Sequence, residues 1–401
     1  MPDSSLRLAA RMKTLAPSPM LKLAAEAARL RAEGRDIISL ATGEPDFDTP
    51  EHIQAAAIAA MRAGDTHYTA ADGTPALKQA IMRKFAREND LKFAQDQISV
   101  SSGAKQVIFN ALAATVGEGD EVLVPVPYYP SYLEMTRMLG GTPVAIAGDE
   151  AQRLTAAALE AAITPASRWL ILNAPGNPSG IAYSRDELAA FAGVLRRHPH
   201  LWVMADDIYE HLLFTGRFAT LAEVAPDLGG RILTVNGVSK AYCMTGWRIG
   251  YGAGPAPLIR AMSTVQSQII SCPSSVSQAA AVAALDGPAS VVDELRAAFD
   301  ARRVCIVEAL DRIEGVSCPL PDGAFYVLPD VSALIGRRRP DGRPVGNDAD
   351  IAEWLIKDAG VIVVPGREFG APGRFRISYA ADTALLDEAC RRIAASLGKL
   401  R

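Results

Sequence analysis

Arg231-Ile232-Leu233-Thr234-Val235 is a short apolar run that leads directly into Asn236-Gly237-Val238-Ser239-Lys240, and Thr245-Gly246-Trp247-Arg248-Ile249-Gly250 follows soon after. The run reads as a buried strand with Lys240 just past its end. A lysine in that place has its amine partly desolvated and its pKa lowered, which is what Schiff-base chemistry with an aldehyde requires. Arg248 is close enough in sequence to clamp a phosphate through two charge-assisted hydrogen bonds. A surface lysine beside an ordinary salt-bridging arginine fits the same letters, so the rest of the chain has to decide.

Five further apolar runs resemble this one: 97–100, 121–126, 169–172, 201–204 and 249–253. Helix signals lie between them. Thr49-Pro50-Glu51 and Thr74-Pro75 each place a hydroxyl before a proline at the first helical position, and Ser184-Arg185-Asp186-Glu187 is a capping box. Short apolar strands alternating with helices predict an α/β fold, a mostly parallel sheet with helices on both faces. Ligands bind beyond the carboxyl ends of such strands. Five of these ends carry Ser102-Gly103-Ala104-Lys105, Pro127-Tyr128-Tyr129, Asn173-Ala174-Pro175-Gly176-Asn177, Asp206 and Lys240, all polar, aromatic or glycine-rich.

A length of 401 residues predicts two domains. The large one is expected over 48–290. Residues 1–47 join 291–401 in a smaller α/β unit, with a long helix over 288–313, strands at 324–328, 361–364 and 374–379, and helices near 349–359 and 384–398. Lys+Arg 41 against Asp+Glu 45 gives a net charge of -4, and the one basic run, Arg337-Arg338-Arg339, lies in a polar loop. This balance argues against nucleic acid as a partner. The five cysteines have no metal-ligand spacing, so no metal site is expected, and they read as free thiols in a reducing compartment. Neither a secretory leader nor a membrane span is legible, and a cytoplasmic protein is expected.

Each strand end has a functional reading and a plainer one. Asp206 either caps a helix or pairs a ring nitrogen, keeping a pyridinium protonated as an electron sink. Asn177 sits in a turn sequence, yet its amide, like the Tyr209 hydroxyl, could donate to a phenolate oxygen. Ser102, Gly103 and Ala104 open a helix, whose free N–H groups and positive end suit a phosphate, with Ser239 and Arg248 completing that site. Tyr129 either packs or stacks on a flat ring. Arg376, alternating with apolar neighbours in Arg374-Phe375-Arg376-Ile377-Ser378, is either an edge-strand ion pair or a bidentate clamp for a carboxylate.

These residues, with Gly43-Glu44-Pro45-Asp46-Phe47 and Tyr68, resemble the class I and II aminotransferases, pyridoxal phosphate enzymes of fold type I, in the family's order and almost from end to end. Within the family, Gly103-Ala104-Lys105-Gln106, Ile208-Tyr209-Glu210-His211-Leu212 and Met244-Thr245-Gly246-Trp247-Arg248 look most like the bacterial aspartate aminotransferase subgroup. The resemblance implies pyridoxal 5'-phosphate held covalently by Lys240. Asp206 would pair the ring nitrogen, and Asn177 with Tyr209 would bond the ring hydroxyl. Ser102, Gly103, Ala104, Ser239 and Arg248 would hold the phosphate, joined by Tyr68 from the second subunit of a homodimer, and Tyr129 would stack on the ring. Gly43, Asn177 and Arg376 would bind the substrate's α-carboxylate end, with Lys105 placed either to meet a distal carboxylate or to serve the phosphate helix. The substrates implied are an L-amino acid, aspartate-like first, and a 2-oxo acid such as 2-oxoglutarate.

Two departures bear on that preference. Met20 stands where the subgroup tends to carry a hydroxyl, and Ser267-Gln268-Ile269-Ile270-Ser271 is more apolar than the pattern. They open the alternative of aromatic or aliphatic amino acids. A C–S lyase on the same fold would use the same lysine. A cofactor-sensing regulator would need a DNA-binding module, for which the sequence before the first matching residues leaves no room.

Overall fold

The computed structural model describes residues 6–401. Among them β1 (Ile38–Ser39) comes first, followed by seven strands of a central sheet: β2 (Ile98–Ser101), β3 (Glu121–Pro125), β4 (Thr142–Ile146), β5 (Ser167–Asn173), β6 (Trp202–Asp206), β7 (Ile232–Gly237) and β8 (Gly250–Ala253). The sheet order is β2-β8-β7-β6-β5-β3-β4. Strands β4, β3, β5, β6 and β7 run parallel, and every residue of β7 and the centre of β5 and β6 are buried. Helices on both faces remove both sides of these strands from water, so the strands are apolar throughout rather than alternating.

Two features differ from the sequence reading. β4 was absent from it because Thr142-Pro143-Val144-Ala145-Ile146 is half-exposed and carries an internal proline, which suits an edge strand. β8 runs antiparallel to both β7 and β2. The link 238–249 is irregular and contains no helix, whereas a parallel return is usually carried by a helical crossover. This reversal has a functional consequence: the chain leaves β7 at Lys240 and enters β8 from Arg248, so both lie at the same edge of the sheet.

The helix starts are also mixed. Thr74 and Ser184 accept hydrogen bonds from Leu77 N and Glu187 N as caps. Thr49 does not cap. The helix Glu51–Arg62 begins after Pro50, and the Thr49 hydroxyl donates to Cys243 O (2.7 Å) while accepting from Trp247 Nε1 (2.9 Å), tying the helix entrance to the Lys240 link.

The remaining strands are β9 (Tyr326–Val327), β10 (Val361–Ile362), β11 (Val364–Pro365) and β12 (Phe375–Ser378). The expected strand 361–364 breaks at Val363: β10 pairs in parallel with β1, and β11 pairs with β12, which also pairs with β9. Ile38 and Leu40 share a core with Phe299, Phe325, Ile377 and Ile393, so the two ends of the chain fold together. The helices Ser290–Asp311 and Thr383–Leu397 cover that core.

Candidate active site

A cavity of about 390 Å³ opens at the carboxyl ends of β5, β6 and β7, with Gly43, Lys105, Tyr129, Asn177, Asp206, Tyr209, Ser239, Lys240, Arg248 and Arg376 all in its wall. Lys240 Nζ donates to the Gly43 carbonyl (2.6 Å) and lies 5.7 Å from the Phe325 ring centre. Among the described residues no carboxylate is in ion-pair contact with it. Burial pushes its amine down to about 8; Glu44 opposes this, while the cations Arg248, Arg376 and Lys105 reinforce it. The amine is therefore available as a nucleophile near neutral pH.

Asp206 ends β6 and is 5% exposed. Its Oδ2 accepts from the Tyr132 hydroxyl (2.6 Å), while its Oδ1 is buried without a partner. Burial raises its carboxyl to about 6, against the opposing effects of Tyr132, the Ile208 backbone N–H and Lys240. A buried carboxylate oxygen with no donor is costly, and a ligand's N–H is the natural relief. Asp206 caps no helix. Asn173 Nδ2 donates to its backbone carbonyl (2.8 Å) and Asn173 Oδ1 accepts from Asn177 N (2.9 Å), so the ends of β5 and β6 hold one another.

Arg376 is 1% exposed and forms no ion pair among the described residues. Its Nη1 donates to Asn177 Oδ1 (2.8 Å), its Nη2 donates to Ala41 O, and its guanidinium packs on Tyr326 and Phe369 at 4.6 and 4.9 Å. Arg374, one alternation away, pairs with Asp330. The buried member of the two is therefore the one left with an unneutralised charge, an arrangement that fits an anionic ligand. The Tyr209 hydroxyl bonds that of Tyr326 (2.9 Å).

On the phosphate side, Gly103 has φ 94° and precedes the helix Ala104–Thr115. A Cβ there would overlap the Arg248 guanidinium, so only glycine admits the arginine to the helix start. Ala104 lines the cavity; Ser102, half-buried, is outside its wall. Gly43 is equally constrained, because a Cβ would overlap the Tyr326 hydroxyl.

Tyr68 is 89% exposed and outside this cavity, and Ile269 is likewise outside it and exposed; Met20 is in the wall. Residues the sequence reading passed over are Tyr132, Asn173 and Tyr326 with their hydrogen bonds, and the apolar wall of Leu21, Ala24, Ile108 and Met135. Asn173 was legible as a strand end beside Asn177. Glu88, Glu210 and His211 lie close enough to suggest a metal site, but the Lys84 ammonium is seated among them, in contact with both carboxylates.

The family described as Aminotransferase class I and II matches residues 35–393. This chain belongs to it. An aspartate aminotransferase of Rhizobium meliloti (strain 1021) is 50% identical over 99% of this chain and 98% of its own length, and an aspartate/prephenate aminotransferase of Cereibacter sphaeroides is 52% identical over 94% and 96%. Among solved structures, the Rhizobium meliloti aspartate aminotransferase superposes with a TM-score of 0.96 at 50% identity, covering 99% of this chain and 100% of that one. The Thermus thermophilus enzyme with maleate gives 0.91 at 38% identity, covering 98% and 100%. The fold is that of this aminotransferase family, and the chain is an aminotransferase. No helix among the described residues is long and apolar enough to cross a membrane.

Proposed function

We propose that this aminotransferase works with pyridoxal 5'-phosphate on Lys240, moving an amino group between an aspartate-like L-amino acid and a 2-oxo acid such as 2-oxoglutarate. The observation that carries the proposal is that one cavity brings together a buried carboxylate oxygen with no partner, Asp206 Oδ1, a buried guanidinium with no ion pair, Arg376, and an amine of lowered pKa. The residues fit the cofactor: Asp206 Oδ1 awaits a ring N–H, the Asn177 amide and Tyr209 hydroxyl suit a ring oxygen, and Gly103, Ser239 and Arg248 form a cradle for phosphate. When bound, the cofactor supplies an aldehyde for the amine and a protonated ring that draws electrons from the substrate's Cα.

The chain's own residues do the rest. Arg376 fixes the α-carboxylate with a planar fork, so the Cα–H bond is oriented before the chemistry begins. Lys240 Nζ would take the proton from the substrate's Cα as general base and then, as acid, deliver it to the cofactor's former aldehyde carbon rather than back to Cα. The Gly43 carbonyl, which accepts from Nζ at 2.6 Å, marks the position from which it acts.

Aspartate preference rests on Lys105 at the cavity rim and on the relatives, one solved with the dicarboxylate maleate and one that also carries prephenate in its name. The wall of Met20, Leu21, Ile108 and Met135 favours a second, broader reading in which apolar or aromatic side chains are accepted as well. Tyr68, exposed on its own chain, is assigned to the partner's site in a homodimer, and the division into 48–290 and 1–47 with 291–401 is retained as the domain plan. The test is a spectroscopic half-reaction screen with aspartate, glutamate, phenylalanine, tyrosine, alanine and leucine, and no oxo acid. One equivalent of the cofactor's amine form per site, with one equivalent of oxo acid, supports amino transfer. Continuing ammonia and pyruvate release would make the chain a lyase, and inert aspartate and glutamate would remove the aspartate assignment.

A further inference from the structure

Tyr132 belongs to the helix Ser131–Met138, which follows β3, whereas Asp206 ends β6; a single hydrogen bond of 2.6 Å joins them. The tyrosine is 2% exposed and its ring meets that of Tyr129 edge-on at 5.6 Å, so it has little freedom to point elsewhere. Its phenol is held well above the ordinary range, first by burial and then by Asp206, and so remains a donor at any pH the enzyme meets. Tyr132 is the one side chain that donates to this carboxylate, and the Ile208 backbone N–H acts on it in the same sense. Oδ2 has the tyrosine and Oδ1 has nothing.

We infer that Tyr132 is a positioning residue for Asp206: its hydroxyl occupies Oδ2, leaves Oδ1 as the one acceptor for the cofactor's ring nitrogen, and keeps the carboxylate charged opposite a protonated ring. This rests on the proposed function. A buried carboxylate stripped of its donor favours the neutral acid. The proton shared with the ring then moves from nitrogen towards oxygen, and the ring loses its capacity to draw electrons. Lys240 and Tyr209, the other titratable groups that act on Asp206 from the cavity, are untouched by a change at 132.

The test uses holoenzyme rebuilt with pyridoxal phosphate labelled with ¹⁵N in the ring, comparing the native protein with Tyr132→Phe and with p-aminophenylalanine at 132. Both replacements keep the ring, and the second retains a weaker N–H donor in the same place. The expected ¹⁵N signal at neutral pH is that of a protonated ring in the native enzyme, displaced towards the unprotonated value in Y132F and intermediate with the amino analogue. In Y132F kcat falls about tenfold, with KM for the amino acid little changed. A merely structural tyrosine would leave the ¹⁵N signal where it is. A native-like signal and kcat in Y132F, or in the analogue protein should Y132F not fold, would overturn the inference while leaving the function standing. A native protein that takes up no cofactor would overturn both.

Discussion

Lys84 is fully enclosed by protein and Lys240 is partly buried in the cavity wall, and their surroundings are opposite. Lys84, with no exposed surface, contacts the Glu210 carboxylate and donates to Asn89 Oδ1 at 2.7 Å. Glu210 also accepts from Asn89 Nδ2 and Asn236 Nδ2, each at 2.8 Å. Burial pushes the Glu210 carboxyl up, yet Lys84, His211 and Asn89 outweigh it and hold the group below its usual range. Lys240 lies four residues beyond Asn236 and has a carbonyl in place of a carboxylate, with three cations acting on its charge. A buried lysine with a partner is part of the framework. One without a partner is held ready for a reaction, and the framework lysine fastens the strand end from which the reactive one projects.

The largest effect expected of this contrast is kinetic. Lys240→Ala lowers steady-state transamination about 10⁴-fold or more, while part of the cofactor still binds, as followed by absorbance after dialysis. Lys84→Met acts on stability instead: leaving Glu210 buried and unpaired costs about 3–5 kcal/mol in urea unfolding. The contrast breaks should Lys84→Met abolish turnover in a protein of native stability.

A pH experiment sharpens it. Unfolded, Lys240 holds its proton to about 10.5; folded and cofactor-free, it releases it near 8. The unfolded state binds more protons across that window, so this group's contribution to stability grows with pH from about 8 to 10.5, by about 3 kcal/mol in all. Comparing urea midpoints of the cofactor-free native protein and Lys240→Met across that range isolates the slope, which is absent in the variant.

Smaller effects separate the two halves of the cavity. Gly103→Ala, with a Cβ set against Arg248 at φ 94°, weakens cofactor binding about 10- to 100-fold in equilibrium dialysis and leaves amino-acid preference unchanged. Met20→Thr leaves cofactor binding alone and shifts the kcat/KM ratio towards aspartate over phenylalanine by about tenfold or less.

The lysine contrast also shows what a sequence conveys. Lys240 was legible because a continuous apolar run precedes it, and the same feature marked β5, β6 and the strand ends at Asn177 and Asp206. The direction of β8 was not legible, since an apolar run has no polarity. Lys84 drew no notice in the sequence, because its partner Glu210 is 126 residues away. Tyr132 and Asp206, 74 residues apart, escape for the same reason. Positions set by local pattern were readable, and side-chain pairs that depend on how distant strand–helix units stack were not. Thr49 is the local exception: its proline suggested a cap, but its hydroxyl is taken by Cys243 and Trp247 from the far link.

Covalent attachment tests the difference between the two lysines directly. Holoenzyme reduced with borohydride, digested and sequenced by tandem mass spectrometry should carry the pyridoxyl phosphate mass on Lys240 at one per chain, with Lys84 and Lys105 unmodified. A label on either of those lysines, or an unmodified Lys240 in a protein that retains its cofactor, would contradict the placement of the reaction at the end of β7.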